Sequence, residues 1–160
     1  MAERRRWTTR RVFVASLALY AVSFVLPAIL NPDPTSSFGW VDTWGWEAAV
    51  LSFATPMVVI LGPSNLGYAA AALLIPFGFC RVAVVCSLVA LLSMAYCGIM
   101  VPSQPGGGPI RWPGGHLGPG YYAWLLAGIM MLVCAVRASR EAQDAEAPTL
   151  GLRPPPPASQ

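Results

Sequence analysis

The stretch 48-AAVLSFATPMVVILGPSNLGYAAAALLIPFGFC-80 carries no charged side chain over 33 positions, and the number of times it crosses a membrane decides the fold. As a single helix it would run about 50 Å, against a hydrocarbon core of roughly 30 Å. Two full crossings with a turn between them would need roughly 44 residues, more than the stretch contains. The reading that fits is one crossing at about 56–79, preceded by a short interfacial or re-entrant outer segment at 46–55. Gly62, Pro63, Ser64 and Asn65 are expected to break or kink that crossing, because proline removes a backbone donor and crowds the preceding turn.

Toward the C-terminus, Arg81 is followed by Val82 to Val101, an uncharged run of 20 residues that gives the next crossing, at about 82–101. A loop rich in glycine and proline comes after it, including Gly106, Gly107, Gly108, Pro109, Pro113 and Gly114, a composition that forms no helix. Tyr121, Tyr122 and Trp124 mark a membrane interface at the start of the last crossing, at about 119–137. The tail, 138–160, turns polar and ends near a run of four prolines, so it is expected to be disordered or partly extended. No complete proline-recognition motif is present.

Toward the N-terminus, Val12 to Leu30 is uncharged for 19 residues, enough for about 28 Å of helix. Asn31, Pro32, Asp33 and Pro34 stop it, and Pro27 lies near its far end, where a lost hydrogen bond matters least. Residues 1–11 form a basic segment with Arg4, Arg5, Arg6, Arg10 and Arg11. Thr9 to Phe13 loosely matches a twin-arginine export signal, yet no small-x-small cleavage site follows, and the segment is read as an anchor. Crossings at about 12–30, 56–79, 82–101 and 119–137 therefore define an all-α integral membrane domain of about four transmembrane helices over 12–137.

Composition agrees with this reading. Hydrophobic residues make up 56% of the 160-residue chain and charged residues 11%, where a soluble domain carries roughly 25% charged. Lipid is the solvent that such a chain expects. All ten basic residues are arginine and half of them precede the first apolar run, so the net charge of +3 reflects clustering and not a nucleic-acid surface. Basic residues next to short loops stay on the cytoplasmic side. With both termini cytoplasmic, Arg81, Arg137, Arg140 and Arg153 fall inside and Arg111 alone outside. Splitting 48–80 into two crossings would reverse the later ones and spoil that sorting. The absence of lysine suits a GC-rich genome, and the membrane expected is a bacterial inner membrane.

Few residues offer chemistry. Trp40, Trp44 and Trp46 cluster in the first outer loop and read as an interfacial anchor, with an aromatic ligand patch as the sharper alternative. Glu47 falls at the start of the outer helical segment, where an acid caps a helix through its free N–H groups; cation or amine binding is the other reading. Asn65 is polar within the expected helix break. His116, the only histidine, stands in the glycine-rich loop and is expected to be a solvated residue, since one histidine supplies no pair of haem ligands and no acid or cysteine cluster accompanies it. No metal and no cofactor is expected. Cys80, Cys86, Cys97 and Cys134 lie in or beside apolar runs and read as packing residues. Apart from Arg137 at the very end of the last one, the expected crossings contain no Asp, Glu, Lys or Arg, which argues against a proton-coupled exporter. The outer loops lack the cysteines of a quinone-linked disulfide oxidase or a claudin-like protein. Small residues four apart, such as Gly67 and Ala71 or Ala83 and Ser87, would let helices approach closely.

Four short pieces carry a resemblance: Ser23-Phe24-Val25-Leu26-Pro27, Gly45-Trp46-Glu47-Ala48, Gly78 to Arg81, and Gly120-Tyr121-Tyr122-Ala123-Trp124-Leu125. Together they span most of Val12 to Val136, and in them the chain resembles a family of small four-helix bacterial membrane proteins with no assigned activity. The resemblance implies the architecture and carries over no catalytic residue. The function expected is non-enzymatic, through helix or loop contacts with a second copy or another membrane component. A small channel or transporter subunit built around the break at Gly62 to Asn65 is the first alternative. A membrane enzyme using Glu47 and His116 at the outer surface is the second.

Overall fold

The computed structural model describes residues 2–32, 40–54, 58–103 and 116–146. In chain order these form α1 (Ala2–Val25), β1 (Pro27–Pro32), β2 (Trp40–Trp44), α2 (Gly45–Ala54), α3 (Val58–Leu74), α4 (Cys80–Ser103), β3 (His116–Leu117) and α5 (Pro119–Glu146). Three of the helices are long and apolar enough to cross a membrane, through Thr8–Val25, Cys80–Ile99 and Pro119–Ala145. Helix α3 has 17 residues, about 25 Å, and runs unbroken through Gly62-Pro63-Ser64-Asn65, where the sequence suggested a break. Pro63 lies in its second turn, and the hydrogen bond that proline cannot donate there does not interrupt the helix.

Contacts fix the directions of the helices. Thr9 and Ser16 of α1 meet Glu141 and Ala127 of α5, so these two helices are antiparallel. Gly98 of α4 lies against Tyr121 of α5, and Leu91, earlier on α4, lies against Gly128, later on α5, so α4 and α5 are antiparallel as well. A tight turn joins α3 to α4. The result is an up-down-up-down bundle in which the start of α1, the α3–α4 turn and the end of α5 share one end.

The α3–α4 turn is a Schellman cap. Phe79 N–H donates to the Leu74 carbonyl and Gly78 N–H to that of Ile75, with Gly78 at φ +82°. That backbone region disfavours any side chain. Gly78→Ala is therefore expected to lower bundle stability by about 1–2 kcal/mol, read as an earlier denaturation midpoint in detergent, with α-helical content unchanged.

The other end carries a feature that the all-α expectation lacks: a three-stranded antiparallel sheet in the order β2-β1-β3. Pro27 sets it up. The residue before a proline is pushed toward extended backbone, so α1 ends at Val25 and not near residue 30. Pro27 and Pro32 are the first and last residues of the central strand, where a missing N–H disturbs the ladder least. The segment between α1 and α2 is thus partly β-structure, with Trp40–Trp44 paired to Pro27–Pro32, and His116 pairs with Leu30. Helix α2, ten residues long, follows directly and falls on the expected outer segment. Helix α5 continues through 138–146, placed in the tail on composition; Ala138, Ala142 and Ala145 favour helix there. The remaining tail, 147–160, lies outside the described residues, as do Pro109 to Gly115.

The core is built from small side chains. Ala71, Ala83, Ala90, Ala127 and Ala135 are buried with Tyr68, Met94 and Met131, and Ser16, Ser64 and Ser87 are buried among them. Large apolar side chains point outward instead, among them Val85, Leu92 and Ile99 of α4, each more than 60% exposed. Water would reject that arrangement, whereas acyl chains solvate it, because helices in lipid associate through close packing of small residues.

Candidate functional site

The densest polar cluster lies where α1, α3 and α5 meet. Ser16 stands midway along the apolar stretch Thr8–Val25 and is fully buried. Its hydroxyl donates to the Ala127 carbonyl at 2.8 Å, which uses its single hydrogen. The Tyr68 hydroxyl, also 2.8 Å from Ser16 Oγ, must therefore donate to it. Tyr20 lies flat on Tyr68, ring centroids 4.0 Å apart and planes 6° from parallel, and donates its hydroxyl to Asn65 Oδ1 at 2.8 Å. Trp124 of α5 and Tyr20 both pack against the buried core.

Three helices are thus joined by hydroxyl and amide groups that satisfy one another inside an apolar wall. In lipid such bonds are worth about 0.6–1.7 kcal/mol each. They hold the bundle in one register. None of these cluster side chains is an Asp, Glu, Lys or Arg.

The two ends of α5 are fastened separately. At one, the Tyr121 hydroxyl donates to the Met94 carbonyl at 3.0 Å, and its ring meets Tyr122 and Trp124 edge-on. At the other, Thr9 donates to Glu141 at 2.9 Å, and the Cys134 thiol points at the Thr9 carbonyl at 3.6 Å. All four cysteines are free thiols.

Of the residues singled out in the sequence, Asn65 belongs to the interior cluster. The other three lie at the sheet end. Glu47 is the third residue of α2, and its Oε2 accepts the Trp44 N–H at 3.0 Å, half of a capping box. Trp46 is 53% exposed, and Trp44 beside it is also exposed. His116 is exposed on β3, opposite Leu30. The structure brings Trp46 and Glu47 together and leaves Asn65 apart from both. Glu47→Ala should cost about 0.5–1 kcal/mol through the lost cap, while Glu47→Gln, which keeps an acceptor, should cost less; thermal denaturation in detergent distinguishes them.

Sequence reading overlooked Tyr20 and Tyr68. Their signal was present, since both stand inside apolar runs and not at the edges where interfacial aromatics collect. Among the described residues, no three His, Cys, Asp or Glu side chains are grouped so as to hold a metal ion. Comparison with protein-family models, with curated proteins and with solved structures gives no match.

Proposed function

We propose that this chain is a four-crossing protein of a bacterial inner membrane, with both termini cytoplasmic, that acts without catalysis through contacts with a second copy or another membrane component. The observation that carries this reading is the distribution of side chains, large and apolar outside, small or hydroxylic inside. Helix α3, the shortest of the four crossings, packs along α4 through Gly67, whose bare Cα lies against Cys86 and Ala90. Arg10, Arg81, Arg137 and Arg140 share one end of the bundle, the placement that the positive-inside tendency asks of a cytoplasmic face.

Contact, not chemistry, is the reading best supported, because the interior polar groups are engaged with one another and Glu47 is engaged as a cap. The pore alternative drew on an irregular backbone at Gly62 to Asn65, and that segment is helical with Asn65 facing Tyr20. Crosslinking of the full chain in native membranes is expected to give a discrete dimer or a discrete adduct with another membrane protein. A strict monomer that captures nothing, in membranes and in detergent alike, would overturn the proposal.

A further inference from the structure

Three of the outward apolar faces end, at the same end of the bundle, in an exposed arginine. On α1, Arg10, Val14 and Leu17 are spaced by four and then three residues, which places them on one face, and all three are exposed. On α4 the same spacing joins Arg81 to Val85 and Leu88, all exposed, and exposed Phe77 and Phe79 flank the turn beneath. On α5 the face runs the other way, from Ile129 and Val133 to Arg137 and Arg140, again all exposed. Each face matches a phospholipid in outline: a strip for an acyl chain and a guanidinium at headgroup height.

We propose that this end of the bundle is a binding collar for anionic phospholipids, with Arg10, Arg81, Arg137 and Arg140 holding the headgroup phosphates. The inference rests on the membrane reading above and names the lipid class that it takes. Guanidinium presents paired donors that match phosphate oxygens, and it stays charged at any physiological pH. Arg81 adds the first turn of α4, whose Arg81 and Val82 N–H groups lie at the positive end of a 24-residue helix. Arginines outnumber acids at this end by eight to four among the described residues, so the collar keeps a net positive charge. Glu141 is turned toward Thr9, and Asp144 lies a turn beyond Arg140 on α5. The sheet end holds no basic side chain among the described residues apart from the imidazole of His116, so the collar is one-sided.

The test uses the full chain reconstituted in vesicles of equimolar phosphatidylglycerol and phosphatidylcholine, then extracted in mild detergent, with retained lipid counted by native mass spectrometry. Each guanidinium near the surface contributes about fivefold in headgroup binding, so the wild-type chain is expected to retain the anionic lipid at least about fivefold over the zwitterionic one. The quadruple variant R10Q/R81Q/R137Q/R140Q should approach parity, and R10K/R81K/R137K/R140K, which keeps the charge, should hold most of the preference. Equal retention by the wild-type chain, or a preference untouched in the glutamine variant, would overturn the collar. Stabilisation by inorganic phosphate as large as that by phosphatidylglycerol would overturn it too, pointing to a free-anion site. Failure of the wild-type chain to insert into either vesicle would instead overturn the membrane reading beneath it.

Discussion

Replacing Tyr68 with alanine is expected to cost about 3–5 kcal/mol, the range for removing a large aromatic ring from a packed core. Tyr68 is 2% exposed, stacks on Tyr20 and donates to Ser16, so alanine would leave a cavity between α1 and α3 and an unfilled acceptor on Ser16. Tyr68→Phe separates the two contributions. It keeps the ring and loses only the bond, for an expected cost of about 0.6–1.7 kcal/mol. Unfolding of the purified protein by titration with a denaturing detergent, followed by circular dichroism, reads both. A phenylalanine variant as unstable as the alanine variant would mean that hydrogen bonding, and not packing, holds α3 to α1.

Gly45→Val is the second large effect, at about 3 kcal/mol, the upper part of the range for carbon forced into a filled site. Gly45 joins β2 to α2, and its N–H donates to the Leu26 carbonyl at 3.0 Å. A Cβ there would overlap the Ser23 carbonyl oxygen, which is backbone of α1 and cannot swing aside. Helix α2 would have to lift from the end of α1 and take Trp44 and Trp46 with it. The variant should unfold earlier and show a shift in tryptophan emission before the main transition, whereas Gly45→Ala should show the same behaviour in weaker form. Wild-type stability in the valine variant would mean that α2 does not seat against α1.

The long helices were legible because an uncharged run of about 20 residues has few other fates; α4 follows its run closely, while α1 stops five residues short of its own and α5 runs on past it. The short stretch at 46–55 was legible by subtraction, from length that one crossing could not use. The sheet was not. Its central strand, Pro27–Pro32, continues an apolar run without the alternation that marks a strand, and its partner at His116–Leu117 is two residues long and distant in sequence. Pro27 looked like the tolerable end of a helix, and the extended backbone it imposes on Leu26 decided otherwise. In the interior cluster, Ser16 and Asn65 could be picked out as polar residues in apolar runs. That Tyr20 and Tyr68 complete it depends on the facing of α1 and α3, which hydropathy does not encode. The rim of arginines was visible residue by residue, and its alignment with the apolar faces emerges only once the helix directions are known.

The central claim is that these helices thread a bilayer with the arginine-bearing end on one side. Single cysteines placed at Arg81, Ser103 and Arg140, in a chain whose Cys80, Cys86, Cys97 and Cys134 are replaced by serine or alanine, test it with a membrane-impermeant maleimide on intact cells and on opened ones. Position 103 should label in intact cells, and positions 81 and 140 only after opening. Labelling of positions 81 and 103 from the same side would contradict a membrane crossing by α4, and the threading of the whole bundle would be wrong.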